Sequence, residues 1–165
     1  MPNNTNTHPY TVTGIKSFRG REGYGFNATL HRDGRKVAFV IDQADGGECR
    51  YEWLAKDRTQ AAADEQALTD YCATLPPTEF AGHTLAMNTD MLLSELVESA
   101  ENAQRIARAL KKHVVFVDEG TLLQSKAAPS AALIAAIRQK RPSATILNDL
   151  PKGEAVALFT QYAGA

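Results

Sequence analysis

The chain has 165 residues, 44% of them hydrophobic, and this size and apolar content favour one globular domain with a buried core. Its net charge of −1 excludes a global basic field for nucleic acid and the acidic excess of a DNA mimic. No run approaches the ~18 consecutive apolar residues of a membrane span, so no membrane partner is expected. Residues 1–9 are polar and lack the basic and apolar regions of a secretory signal, which predicts a flexible N-terminus and a cytoplasmic protein.

Tyr10 to Phe18 is rich in β-branched and aromatic residues and reads as a first strand, with Gly14 marking a bulge. A turn at residues 19–23 leads into the most informative stretch, Tyr24 to Ile41. Its Asp33-Gly34 pair suits a type I′ hairpin turn, which needs positive φ at both central residues. Centring the turn there sets Leu30 opposite Val37, Ala28 opposite Phe39 and Phe26 opposite Ile41. All six then lie on one buried face, with Lys36 facing water. Asp42 to Glu48 is a connection broken by Gly46-Gly47, and Cys49 to Leu54 is a fourth strand with Cys49, Tyr51 and Trp53 on one face.

Composition shifts at Ala55. Asp57 to Ala73 predicts an alanine-rich helix capped by Asp57 or Thr59, peripheral because Leu68 and Tyr71 are its only large apolar residues. Thr89 to Lys112 carries the strongest helical period, through Leu92, Leu96, Ala100, Ala103, Ile106 and Leu110, with Asn88 or Thr89 as cap. His113 to Val117 reads as a strand continuing past Asp118-Glu-Gly120 into residues 121–123. A helix over 130–140 with Leu133, Ile134 and Ile137 inward, a strand over 144–147 and a closing helix over 153–162 complete the chain. The expected fold is therefore α+β: an N-terminal four-stranded antiparallel meander (10–54), a helical part (55–112) whose long helix packs on it, and a C-terminal β-α-β-α segment (113–165), all in one domain.

Chemistry is sparse. Gly20, Gly23 and Gly25 have the glycines of a phosphate loop but open a strand rather than a helix, so a tight turn is the better reading. Asp42, Asp45 and Glu48 put three carboxylates in one loop, a set that suits a hard cation without matching an EF-hand. The four histidines have no metal-ligand spacing, and Cys49 and Cys72 match no zinc or redox motif. No cofactor is expected, and an enzyme is disfavoured. Arg19, Arg21, Arg32, Arg35 and Lys36 cluster around the hairpin turns near Phe18 and Tyr24, which suggests contact with single-stranded nucleic acid as one alternative.

The run Gly20-x-Glu22-Gly23-x-Gly25-Phe26-Asn27-Ala28, then Asp33-Gly34-x-Lys36-Val37-Ala38, then Asp42 and Gly46-Gly47, resembles a recurring block in uncharacterised small proteins of bacteriophages, prophages and plasmids. Leu110-Lys111-Lys112 before a strand and Ile146-Leu147-Asn148 before the last helix are similar too. The resemblance brings no activity and no catalytic residue. It implies a mobile-element setting, where such proteins commonly bind a host protein, often of a defence system. The leading expectation is thus a non-enzymatic interaction protein that modulates a host factor in the host cytoplasm. Its binding surface is expected at Arg19, Arg21, Glu22 and Tyr24, because arginine and tyrosine dominate interfaces. The alternatives are a nucleic-acid-associated protein using the basic turns and a cation-dependent enzyme at Asp42, Asp45 and Glu48.

Overall fold

The computed structural model describes residues 9–163, so all of the expected flexible N-terminus but Pro9 lies outside the described residues. The chain is α+β, and its contacts divide it into two compact units, Met1–Ala100 and Glu101–Ala165.

The first unit is built on β1 (Tyr10–Arg19), β2 (Tyr24–Arg32), β3 (Arg35–Asp42) and β4 (Arg50–Trp53), an antiparallel sheet in that order. The meander is the one expected, and β1 shifts register between Thr13 and Lys16, around Gly14. Asp33 and Gly34 turn the central hairpin with φ of 49° and 80°, as their residue types require. Beyond that turn the register departs from expectation. His31 faces Lys36, but Leu30 faces Ala38, so Val37 is an extra, bulged residue. Side chains alternate with period two, and a one-residue shift therefore exchanges the faces. Ala28 faces Val40, and Thr29 faces Phe39. Val37, Ala38 and Val40 are buried beside Phe26, Ala28 and Leu30, whereas Phe39 is 43% and Ile41 38% exposed. The placement of Phe39 and Ile41 in the core is thus corrected. On the β4 side the register is unbroken, and the Leu54 N–H donates to the Val37 carbonyl at 2.9 Å just past the end of β4.

Two helices cover the inner face. Asp57 caps α1 (Arg58–Thr74) by accepting the Thr59 N–H. This helix is not peripheral: Leu68 and Cys72 enter the core, and its small alanines do not prevent close approach. Asn88 caps α2 (Thr89–Lys112) by accepting the Met91 N–H at 2.9 Å. Leu92, Leu93, Leu96 and Val97 of α2 join Tyr10, Val12 and the β2–β3 residues in one cluster. Between the helices lies an unexpected hairpin, β5 (Thr78–Phe80) and β6 (His83–Leu85). Its turn, Ala81-Gly82, has φ of 50° and 78°; alanine is seldom found there, so the sequence carries no turn signal.

In the second unit, β7 (Val115–Asp118) and β8 (Thr121–Gln124) form a hairpin rather than one continued strand. Glu119 and Gly120 make the turn, both with positive φ. Ser130 caps α3 (Ala131–Lys140), and β9 (Thr145–Ile146) pairs with β7, giving a three-stranded sheet in the order β8-β7-β9. A short 3-10 turn (Leu147–Asp149) leads to α4 (Lys152–Ala163). Val115 and Val117 pack with Ile106, Leu147, Ala155 and Phe159, while Val114, Phe116 and Ile146 pack with Leu133, Ile134 and Ile137. A strand covered on both faces must be apolar throughout, which explains the uninterrupted Val114–Val117 run. No helix among the described residues is long and apolar enough to cross a membrane.

Candidate functional site

Arg19, Arg21, Glu22 and Tyr24 converge at one end of the first sheet. Arg19 and Tyr24 are opposed across β1 and β2, and Arg21 and Glu22 lie in the turn between them. All four are exposed, and Tyr24, at 77%, is the most exposed large apolar residue among those described. The backbone beneath them is tied down. Gly20 N–H donates to the Gly23 carbonyl at 2.8 Å and Glu22 N–H to the Ala44 carbonyl at 2.7 Å. A side chain at Gly20 would strike Ala44, and one at Gly25 would strike the Asp42 carbonyl and the Phe18 ring. Gly46 similarly lies against the Glu22 carboxylate. The glycine-rich block is therefore an interlock between the β1–β2 turn and the β3–β4 loop. Close approach, not phosphate binding, accounts for glycine at positions 20 and 25.

The three loop carboxylates are not brought together. Asp42 Oδ1 accepts the Ala44 N–H at 2.8 Å, Asp45 Oδ1 accepts the Gly47 N–H at 3.1 Å, and Glu48 is exposed. Each aspartate shapes its own turn by bonding two residues on. Among the described residues no group of three or more His, Cys, Asp or Glu is placed to hold a metal ion. The basic cluster is partly engaged as well. Arg35 bonds the buried Asp64 carboxylate of α1 at 2.9 Å, and Arg32 sits 6.0 Å from the centre of the Tyr10 ring. Lys36 remains exposed.

Sequence reasoning missed two further features. One is the outer face of the first sheet. Its register sets Thr13, Thr29, Phe39 and Glu52 in one row across the strands, and Lys16, Asn27, Ile41 and Arg50 in the next. Without foreseeing the bulge at Val37, Phe39 and Ile41 are assigned to the wrong side. The other is an open polar cleft of about 370 Å³ in the second unit, lined by Asp118, Glu119, Lys140, Arg141, Pro142 and Ser143. Asp118 accepts from the Arg141 guanidinium and, at 3.0 Å, from the Ser143 hydroxyl. The Arg141 hydrogen bond holds its carboxyl below the usual range, so it is a weak base and a structural tie.

Comparison of the chain with protein-family models, curated proteins and solved structures finds no match. The functional reading therefore rests on the residues themselves.

Both cysteines are free thiols. Burial, then the Asp90 and Asp42 carboxylates, push the Cys49 thiol up to about 12, and burial raises Cys72 as well. Thiolate is the reacting species, so native protein at pH 8 should be alkylated by iodoacetamide far more slowly than denatured protein. The raised Cys49 pKa contributes stability that is complete below the ordinary thiol value of about 8.5 and is lost as pH rises toward 12. Equal native and denatured labelling rates would refute this environment.

Proposed function

We propose that this chain is a non-enzymatic interaction protein of a phage or other mobile element, acting in the host cytoplasm by binding and modulating a host protein, with defence components as candidate targets. The observation that carries this reading is the β1–β2 end. Two arginines and a tyrosine stand in solvent on a backbone locked by Gly20, Gly25 and the Glu22–Ala44 bond. None of the three belongs to the core clusters, so folding does not account for their display. A rigid mount lowers the ordering cost of binding, and arginine and tyrosine each offer a large contact area with a polar end. The Glu22 carboxylate lies where a side chain at Gly46 would strike it, so Gly46 leaves room for it beside the loop.

The test is a double variant, Arg21→Ala with Tyr24→Ala, used as bait in host lysate beside the unchanged chain. Both positions are exposed, so the thermal midpoint should stay within a few degrees. A host protein recovered by the unchanged chain should be lost by the variant, because truncating central anchors commonly costs about 2 kcal/mol or more. Full recovery by a stably folded variant would reject this surface.

A further inference from the structure

We propose that the outer face of the first sheet is a self-association surface, and that its occupant is the same face of a second copy of this chain. The bulge at Val37 turns Phe39 and Ile41 outward, where they are 43% and 38% exposed. Bulges characteristically re-aim side chains in this way. The two residues sit side by side at the centre of the face, and each is opposed on β4 by a charge: Phe39 by Glu52 and Ile41 by Arg50. Glu52 and Arg50 are exposed, and neither forms an ion pair among the described residues.

This pattern is self-complementary. Consider a two-fold axis lying in the interface, running across the strands midway between the two rows. It exchanges the rows and leaves each strand position unchanged. Phe39 then meets Ile41 of the partner subunit, and Glu52 meets Arg50 of the partner subunit, while the same contacts recur in reverse. An isologous interface requires that reciprocity. Two sheets pack face to face about 10 Å apart, a gap that interdigitated Phe and Ile side chains fill and a Glu–Arg pair spans. The face is also large enough. Four strands about 4.8 Å apart and about 25 Å long present on the order of 500 Å² per copy, at the low end of specific interfaces. The expected dimer is therefore reversible, with a dissociation constant in the micromolar range. The apolar centre formed by Phe39 and Ile41 fits a protein face better than a phosphate backbone.

Sedimentation velocity on the full chain, from low to high micromolar concentration, tests the proposal. The unchanged chain should shift from monomer to dimer over that range. Glu52→Arg sets arginine against arginine and should leave monomer, and Phe39→Asp should do the same. The double variant Arg50→Glu with Glu52→Arg restores the opposite charges and should restore the dimer. All positions changed are exposed, and circular dichroism with thermal melts checks that each variant folds. A monomer at every concentration overturns the proposal, and oligothymidylate binding by that monomer would assign the face to single-stranded nucleic acid instead. A dimer indifferent to both single changes, or a double variant that stays monomeric, overturns it equally.

Discussion

Leu30→Ala is expected to destabilise the protein by about 2–5 kcal/mol, and Phe39→Ala by less than about 1 kcal/mol. Leu30 has no exposed surface and lies in the central cluster between the sheet and the helices. Its truncation removes buried methyl groups and leaves a cavity that the surrounding side chains fill only in part. Phe39 is larger, and from residue size alone it would be the costlier loss. It stands on the outer face, however, where alanine leaves no cavity. The comparison therefore reads the bulge at Val37 directly. Urea melts at low micromolar concentration, where a dimer is dissociated, should show a lowered midpoint for Leu30→Ala and a nearly unchanged one for Phe39→Ala. Equal large losses would mean that β3 pairs without the bulge and that Phe39 lies in the core.

The sequence made the caps and one turn legible because each depends on local chemistry. Asp57 and Asn88 accept backbone N–H groups at helix starts, and Asp33-Gly34 tolerates positive φ. The long period of α2 likewise places Leu96 and Ile106 inside and Glu98 and Arg108 outside, but Glu101, expected in solvent with them, is half-buried. What stayed hidden depends on partners distant in the chain. Val37 is buried as expected, but Ala38 and Val40 compete with Phe39 and Ile41 for the rest of that core. Only packing against α1 and α2 decides which pair is buried, so alternation alone picks the wrong one. Asp64 reads as a surface carboxylate of an alanine-rich helix, yet it is buried because Arg35 and Gln60 reach its Oδ1. The interlock of Gly20 and Gly25 with the β3–β4 loop joins segments some twenty residues apart, so its glycines resemble a ligand loop until that loop is in place. For the candidate surface, residue type and turn location were readable in advance. The backbone ties between that turn and the β3–β4 loop were not.

Asn148→Ala is expected to cost about 2–4 kcal/mol although the residue sits in a short turn and is only half-buried. Its side chain makes three bonds to the backbone. Oδ1 accepts the Val115 N–H at 2.8 Å, and Nδ2 donates to the Leu110 and His113 carbonyls at 3.1 and 3.0 Å. Leu110 lies in the last turn of α2, where carbonyls lack helical partners, and Val115 begins a strand that is almost wholly buried. One amide thus closes the end of a helix and the start of a strand together. Alanine leaves the Val115 N–H without an acceptor where water does not reach, a loss larger than that of an exposed hydrogen bond. Asn148→Asp separates the two roles. It keeps an acceptor for Val115 but presents negative oxygen to two carbonyls, so it should also destabilise. Hydrogen exchange distinguishes them: the Val115 amide should lose most of its protection in the alanine variant and keep more of it in the aspartate variant. A stability loss below about 0.5 kcal/mol with Val115 still protected in the alanine variant would show that water or another acceptor replaces the amide.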